Sequence, residues 1–154
     1  MARHDAPHTP AAGVPAGMQA RLRAAGIQPT LQRLAVADVL LARPQHMTAD
    51  QVLGAAQHLL PGISRATVYA VLQLFTERGL LRELPVTGAA TIYDSNTGPH
   101  HHLVDVETGD VLDLPAEALQ VTGLAEALQG VRLDGVDVIV RVRGLARRQP
   151  AGRA

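Results

Sequence analysis

Pro99-His100-His101-His102 places three consecutive imidazoles where an Ala- and Leu-rich first half of the chain gives way to a Val-, Leu- and Asp-rich second half. On an extended strand successive side chains alternate, so His100 and His102 project to one side and His101 to the other. Two imidazoles so spaced can grip one metal ion, although a polar loop with solvated histidines is an equal alternative on this stretch alone. Further ligands within reach of the pattern are Asp94 just before the triplet, Asp113 at the end of the following strand, and His46 between the second and third helices. Each has an ordinary alternative role: a loop histidine beside a helix cap, a strand-end acceptor of turn N–H groups, and a helix-entry residue before Pro115. Residue types alone leave the ligand set open.

The 154 residues contain no cysteine, which excludes disulfides, iron–sulfur clusters, thiolate zinc sites and cysteine nucleophiles. Any metal here has nitrogen and oxygen ligands. Hydrophobic residues make up 47% of the chain, enough for a real core, but aromatic residues are few and the core must be built from Leu, Val and Ala. Fourteen basic residues, all Arg, balance fourteen acidic ones. That balance argues against a non-specific nucleic-acid coat, while leaving room for a local arginine face. No apolar run reaches membrane-spanning length, and the first residues have prolines where a signal peptide has its apolar core, so a soluble, cytoplasmic protein without a membrane partner is expected.

The elements that must position these side chains follow from punctuation and periodicity. Residues 1–17 read as a disordered arm. Met18 to Ala25 forms a helix stopped by Gly26, and Thr30 caps a second helix with Leu31, Val36, Val39 and Leu40 as its stripe, ended by Pro44. Thr48-Ala49-Asp50-Gln51 is a capping box opening a third helix with Val52, Ala55, Ala56 and Leu59 on one face. After the Pro61-Gly62 turn, Ser64 caps a fourth helix with Val68, Val71, Leu72 and Phe75 inward. Arg65, Thr67, Tyr69 and Gln73 on its polar side are candidate DNA contacts, since two helices joined by a tight turn form a helix-turn-helix. Strands over Leu80–Leu84 and Thr91–Asp94, joined through Thr87-Gly88, supply a wing. A bare helical bundle without ligand is the competing architecture.

From His100 onward, strands over Leu103–Val106 and Val111–Leu114, a helix from Pro115 to about Leu128 and a strand over Val136–Val142 make a small α/β unit. Its exposed sheet edges would be covered by a second copy. The expected organisation is α+β: an arm over 1–17, a winged helix-turn-helix over 18–95, an α/β dimerisation and metal-sensing domain over 96–144, and a flexible basic tail over 145–154.

The blocks Gly26-Ile27-Gln28-Pro29-Thr30-Leu31-Gln32-Arg33, His46-Met47-Thr48-Ala49-Asp50, Ala66-Thr67-Val68-Tyr69, Tyr93-Asp94, His100-His101-His102 and Thr108-Gly109-Asp110-Val111-Leu112-Asp113 resemble, in order and spacing, the ferric uptake regulator (Fur) superfamily. The resemblance implies a homodimeric, metal-dependent repressor that binds a pseudo-palindromic double-stranded operator. It also implies that His46, Asp94, His100, His102 and Asp113 hold the regulatory ion, tying the two domains together. Such a nitrogen and oxygen set suits Fe(II) or Mn(II), with Zn(II) able to compete. Aspartate at 113 is similar to the peroxide-sensing branch, in which oxidation of His46 or His102 would release the metal and then the DNA.

Several departures qualify the resemblance. Asp105 and Thr108 stand where most members have a Cys-x-x-Cys pair, so the structural four-cysteine zinc is absent and packing must stabilise the second domain. The same lack resembles the haem-responsive Irr branch, which makes haem or iron sensing through the histidine stretch the alternative. Gln120 and Val136 leave a second metal site without ligands, His101 is left without obvious partners, and Ala70 stands where an arginine commonly follows the recognition-helix tyrosine. A rival of another class is a non-haem iron enzyme with a His100, His102 and aspartate triad. It is disfavoured because such sites sit in larger β-barrels than these strands can form, and a plain metal carrier would bind metal without salt-sensitive DNA binding.

Overall fold

The computed structural model describes residues 16–86 and 90–145, which fall into two units divided between Thr97 and Gly98. The first unit contains α1 (Ala16–Ala24), α2 (Leu31–Leu41), β1 (His46–Thr48), α3 (Ala49–Leu59), α4 (Arg65–Glu77), β2 (Arg82–Leu84) and β3 (Ile92–Asp94). Helix starts follow the expected caps. Thr30 accepts the Arg33 N–H, Ser64 accepts the Thr67 N–H, and Thr48 with Gln51 completes a reciprocal capping box. Each such cap contributes about 1 kcal/mol by satisfying an N–H that the helix itself cannot. Between α1 and α2, Gly26 takes φ +71°, and the Arg78 guanidinium donates to the Ala25 and Gly26 carbonyls at 3.4 and 3.3 Å. A side chain at 26 would meet the guanidinium at 2.6 Å, but that end of the exposed Arg78 side chain can swing aside, so it is the positive φ that requires glycine.

Leu22, Val36, Leu40, Val52, Val68, Leu72 and Phe75 form the fully buried centre of this unit. All four residues expected on the inner face of α4 are buried, whereas in the other expected stripes Val39 and Ala55 are half-buried and Leu31 and Leu59 are exposed. Leu31 is 71% and Leu59 52% exposed. Each sits at the terminal residue of its helix, where the periodic stripe outruns the neighbouring helices that could cover it. Helices α3 and α4, joined through Pro61-Gly62, make the helix-turn-helix, and β2 and β3 pair antiparallel as the wing. The wing strands are shorter than expected. The sheet order is β1-β3-β2, so β1, read from sequence as a loop, adds a third strand on the far side of β3.

The second unit holds β4 (His100–Asp105), β5 (Val111–Pro115), a 3-10 turn (Ala116–Ala118), α5 (Leu124–Ala127) and β6 (Ile139–Val142). Strand β4 lies centrally, antiparallel to β5 and parallel to β6. It begins three residues earlier than alternation predicts, which brings the whole histidine triplet into the sheet. The continuous helix expected from Pro115 to Leu128 is not formed. Pro115 closes β5, and Gly123 at φ +84° precedes the four residues of α5, because β-branched Val121 and Thr122 followed by a left-handed glycine do not sustain a helix. The last strand likewise starts at Ile139 rather than Val136. Residues 1–15 of the expected arm, the Thr87-Gly88 turn and residues 146–154 of the expected tail lie outside the described residues, while Ala16 and Gly17 already belong to α1.

Candidate metal centre

In the first unit, pairing of β1 with β3 sets His46 opposite Asp94, and pairing of β2 with β3 sets Arg82 opposite the same residue. Three side chains therefore stand in one row across the sheet. Asp94 is 1% exposed. Its Oδ1 lies 3.5 Å from His46 Nε2 and accepts the Asn96 N–H at 2.8 Å, while Oδ2 lies 3.6 Å from Arg82 Nη2. Ser95 secures the register: its Oγ accepts the Gln45 N–H at 3.0 Å, and its own N–H donates to the Gln45 carbonyl at 3.2 Å. Histidine and carboxylate are thus held by backbone on both sides, as a pair of metal donors requires.

In the second unit, alternation along β4 puts His100 and His102 on one face, and register puts Asp113 of β5 directly opposite His102. The two Nε2 atoms stand 2.9 Å apart, with Asp113 Oδ1 3.4 Å from His100 Nε2. One donor atom from each of the three residues lies within 4.8 Å of the others. His100 Nδ1 donates to the Gly98 carbonyl at 2.8 Å. That bond fixes the tautomer, with the proton on Nδ1 and the Nε2 lone pair directed toward His102. Both histidines are buried and Asp113 remains open to solvent. Nitrogen and carboxylate oxygen converging without sulfur fit a divalent ion such as Fe(II), Mn(II) or Zn(II).

His101 points to the other face and is not without a partner. Its Nδ1 accepts the Val138 N–H at 3.3 Å, and the ring is buried. This corrects the sequence expectation, which had no means of seeing that the segment before β6 runs beside β4. Asp105, read only as the place of a missing cysteine, is fully buried. Its Oδ1 accepts the Glu107 N–H at 2.8 Å and its Oδ2 the Leu145 N–H at 2.6 Å. These N–H groups, Glu107 first and Leu145 next, hold its carboxyl below the ordinary aspartate range. The turn after β4 is thereby joined to the chain beyond β6 by a carboxylate. Arg82, Ser95 and Gly98 carry no sequence signal of their own, since their roles arise from pairing and backbone geometry.

Of the candidate DNA contacts, Arg65 opens α4 and forms an ion pair with Asp50 at the start of α3, with both side chains largely exposed. Tyr69 is 47% exposed one turn further on. Thr67 is occupied at the cap, its Oγ1 2.8 Å from Ser64 Oγ, and Gln73 donates to Glu77 at 2.9 Å. Arg65, Tyr69 and Gln73 are exposed on this face, and Thr67 is half-buried.

A model of the ferric uptake regulator family matches residues 24–140. The chain is similar to a peroxide-responsive repressor, PerR, of Staphylococcus epidermidis, with 35% identity over 94 residues, which is 61% of this chain and 63% of that protein. The PerR of Staphylococcus aureus strain Mu50 matches at 36% over 94 residues, 61% of this chain and 64% of its own length. The chain therefore spans less than two thirds of these relatives. Among solved structures, the ferric uptake regulator of Pseudomonas aeruginosa with manganese aligns with TM-score 0.61 and 28% identity, over 83% of this chain and 98% of that one. The peroxide stress regulator of Campylobacter jejuni aligns with TM-score 0.61 and 26% identity, over 83% and 93% of the two chains.

Proposed function

Because the chain belongs to the ferric uptake regulator family, we propose that it is a homodimeric repressor whose winged helix-turn-helix binds operator DNA when one Fe(II) or Mn(II) ion is held by His46, Asp94, His100, His102 and Asp113. The observation that carries this reading is the convergence of His100, His102 and Asp113 on one face of a strand pair, with a second donor pair, His46 and Asp94, in the unit that bears the helix-turn-helix. Only five residues separate Asp94 from His100, so the chain keeps them within about 20 Å even when fully extended. An ion shared by both sets would restrict the helix-turn-helix to one placement, and a dimer matches two half-sites in only one placement.

The second copy would cover the sheet face opposite the ligands. Leu103, Leu112 and Leu114 share that face, and Leu112 is 51% exposed. Half-buried leucines on an open three-stranded sheet are the chemistry of a self-pairing surface. On the DNA side, Arg65 would reach a phosphate or guanine and Tyr69 a thymine methyl, with Thr67 and Gln73 beside them.

The signal we propose is peroxide. Its support is Asp113 in the donor set, together with relatives named as peroxide-responsive repressors. Bound Fe(II) would activate the peroxide, which supplies both oxidising equivalents, one of its oxygen atoms entering an imidazole ring and the other leaving as water. The chain's part is to keep His46 and His102 beside the ion, where an oxygen atom added to either imidazole ends its service as a ligand. No helix among the described residues is long and apolar enough to cross a membrane, consistent with a protein that meets DNA in the cytoplasm.

Fluorescence anisotropy on the promoter upstream of its own gene, at fixed salt, tests the reading with Mn(II), Fe(II), Zn(II) or haem added separately. Mn(II) or Fe(II) should confer binding, and peroxide should abolish it only for the Fe(II) form, with one oxygen atom of added mass on His46 or His102. A haem requirement would favour the haem-responsive alternative. DNA binding that ignores every metal would refute the main reading, and an Fe(II) form whose histidines gain no oxygen would refute the peroxide step.

A further inference from the structure

The Asp94 carboxylate is bracketed from both sides of its sheet, by His46 on β1 and Arg82 on β2. At 1% exposure a carboxylate needs a counter-charge, and Arg82 Nη2 at 3.6 Å from Oδ2 supplies one. The two oxygens have different surroundings. Oδ1 faces His46 Nε2 at 3.5 Å, whereas Oδ2 faces the guanidinium. A divalent cation is repelled from the guanidinium side by Coulomb's law and attracted to the side where a neutral imidazole nitrogen offers a second donor. Oδ1 also accepts the Asn96 N–H at 2.8 Å, which orients the carboxylate.

We propose that Arg82 is a positioning residue of the metal centre, holding Oδ2 so that Asp94 binds the ion through Oδ1 alone, beside His46 Nε2. This deepens the metal site argued above and rests on it. Binding through one oxygen matters because a carboxylate can fill one coordination position or two. Five ligands contributing one atom each leave an octahedral ion with one position for a small reactant, and a bidentate Asp94 would fill it. Arg82 also belongs to the wing, so the same contact ties a metal ligand to the strand that flanks the helix-turn-helix.

The test uses Co(II) as the probe on the full-length protein, because the intensity of its visible ligand-field bands falls as coordination number rises. Arg82→Gln, which releases Oδ2 to join the ion, should weaken those bands, and Mn(II) affinity in competition should hold or rise because a repelling charge is gone. Arg82→Lys, which keeps the charge, should restore the wild-type bands. Melting of the metal-free variants separates a merely structural counter-ion, which would lower stability and leave the bands of the bound form unchanged. Unchanged bands in Arg82→Gln overturn the proposal whatever the stability. Wild-type protein whose Co(II) bands are absent, or survive His100→Ala, overturns the metal site itself and this role with it.

Discussion

His100 and His101 are adjacent in sequence and opposite in chemistry. The first donates from Nδ1 to the Gly98 carbonyl and so turns its Nε2 lone pair toward His102; the second accepts the Val138 N–H at Nδ1 and so carries its proton on Nε2. Alternation on a strand was enough to separate them by face, but not to assign these partners, which come from a turn carbonyl and a chain segment 37 positions away. His101→Ala should therefore destabilise the fold by about 1–3 kcal/mol, through the part-buried Val138 N–H it strands and the buried ring it removes, without changing Mn(II) affinity. His100→Ala should also lower Mn(II) affinity. Urea unfolding beside metal titration distinguishes them. Asp105 gives a pH-dependent counterpart. Its folded pKa lies below the ordinary aspartate value, so its contribution is fully present above that value and disappears as pH falls through the folded one. Asp105→Asn should lower the melting temperature by several degrees at neutral pH, and the gap to wild type should close in strong acid. A gap independent of pH would mean the carboxylate's charge contributes nothing.

At the scale of elements, the helices were legible because caps and periodicity agree. Thr30, Thr48 and Ser64 each accept the N–H that their positions imply, and α4 buries the four residues its spacing selects. Strand β1 was not legible: its three residues, His46–Thr48, give too short a run for a period-two pattern, and only its pairing with β3 defines it. The same shortness hid the reason for His46, which residue type offered as one candidate ligand with an ordinary loop role beside it, and which only the resemblance placed in the ligand set. The segment after Pro115 misled for another reason. Its Leu and Ala content favours a helix, but Val121, Thr122 and Gly123 interrupt it before a second turn can form. Burial sorts the leucines of the first unit in a way that stability can check. Leu72→Ala, at a fully buried position on α4, should cost about 2–5 kcal/mol, while Leu59→Ala, half exposed at the end of α3, should stay within about 0.5 kcal/mol. Equal losses in urea unfolding would show that Leu59 is covered in solution, as a partner surface would cover it.

For the whole molecule, the proposed metal divides its ligands unequally: three in the second unit and two in the unit that bears the helix-turn-helix. Holding the ion and transmitting its presence are then separable properties. The described fold has no thiolate whose loss of zinc would unfold it, and Asp105 joins the β4–β5 turn to the chain beyond β6 without metal, so chelation should leave a folded, cooperatively melting protein. Linkage adds a quantitative demand. If Mn(II) tightens operator binding by some factor, operator DNA must tighten Mn(II) binding by the same factor, and couplings of this kind typically amount to about 5- to 150-fold. His46→Ala should weaken Mn(II) binding yet leave His100, His102 and Asp113 to hold it, and it should abolish the coupling, so that saturating metal no longer changes DNA affinity. His100→Ala combined with His102→Ala should remove metal binding and coupling together. Titrations of metal in the presence and absence of operator, at one salt concentration so that the phosphate contribution stays constant, measure both quantities. A His46→Ala protein that still couples metal to DNA with full strength would show that the ion acts from the second unit alone, and the clamp between the two ligand sets would have to be abandoned.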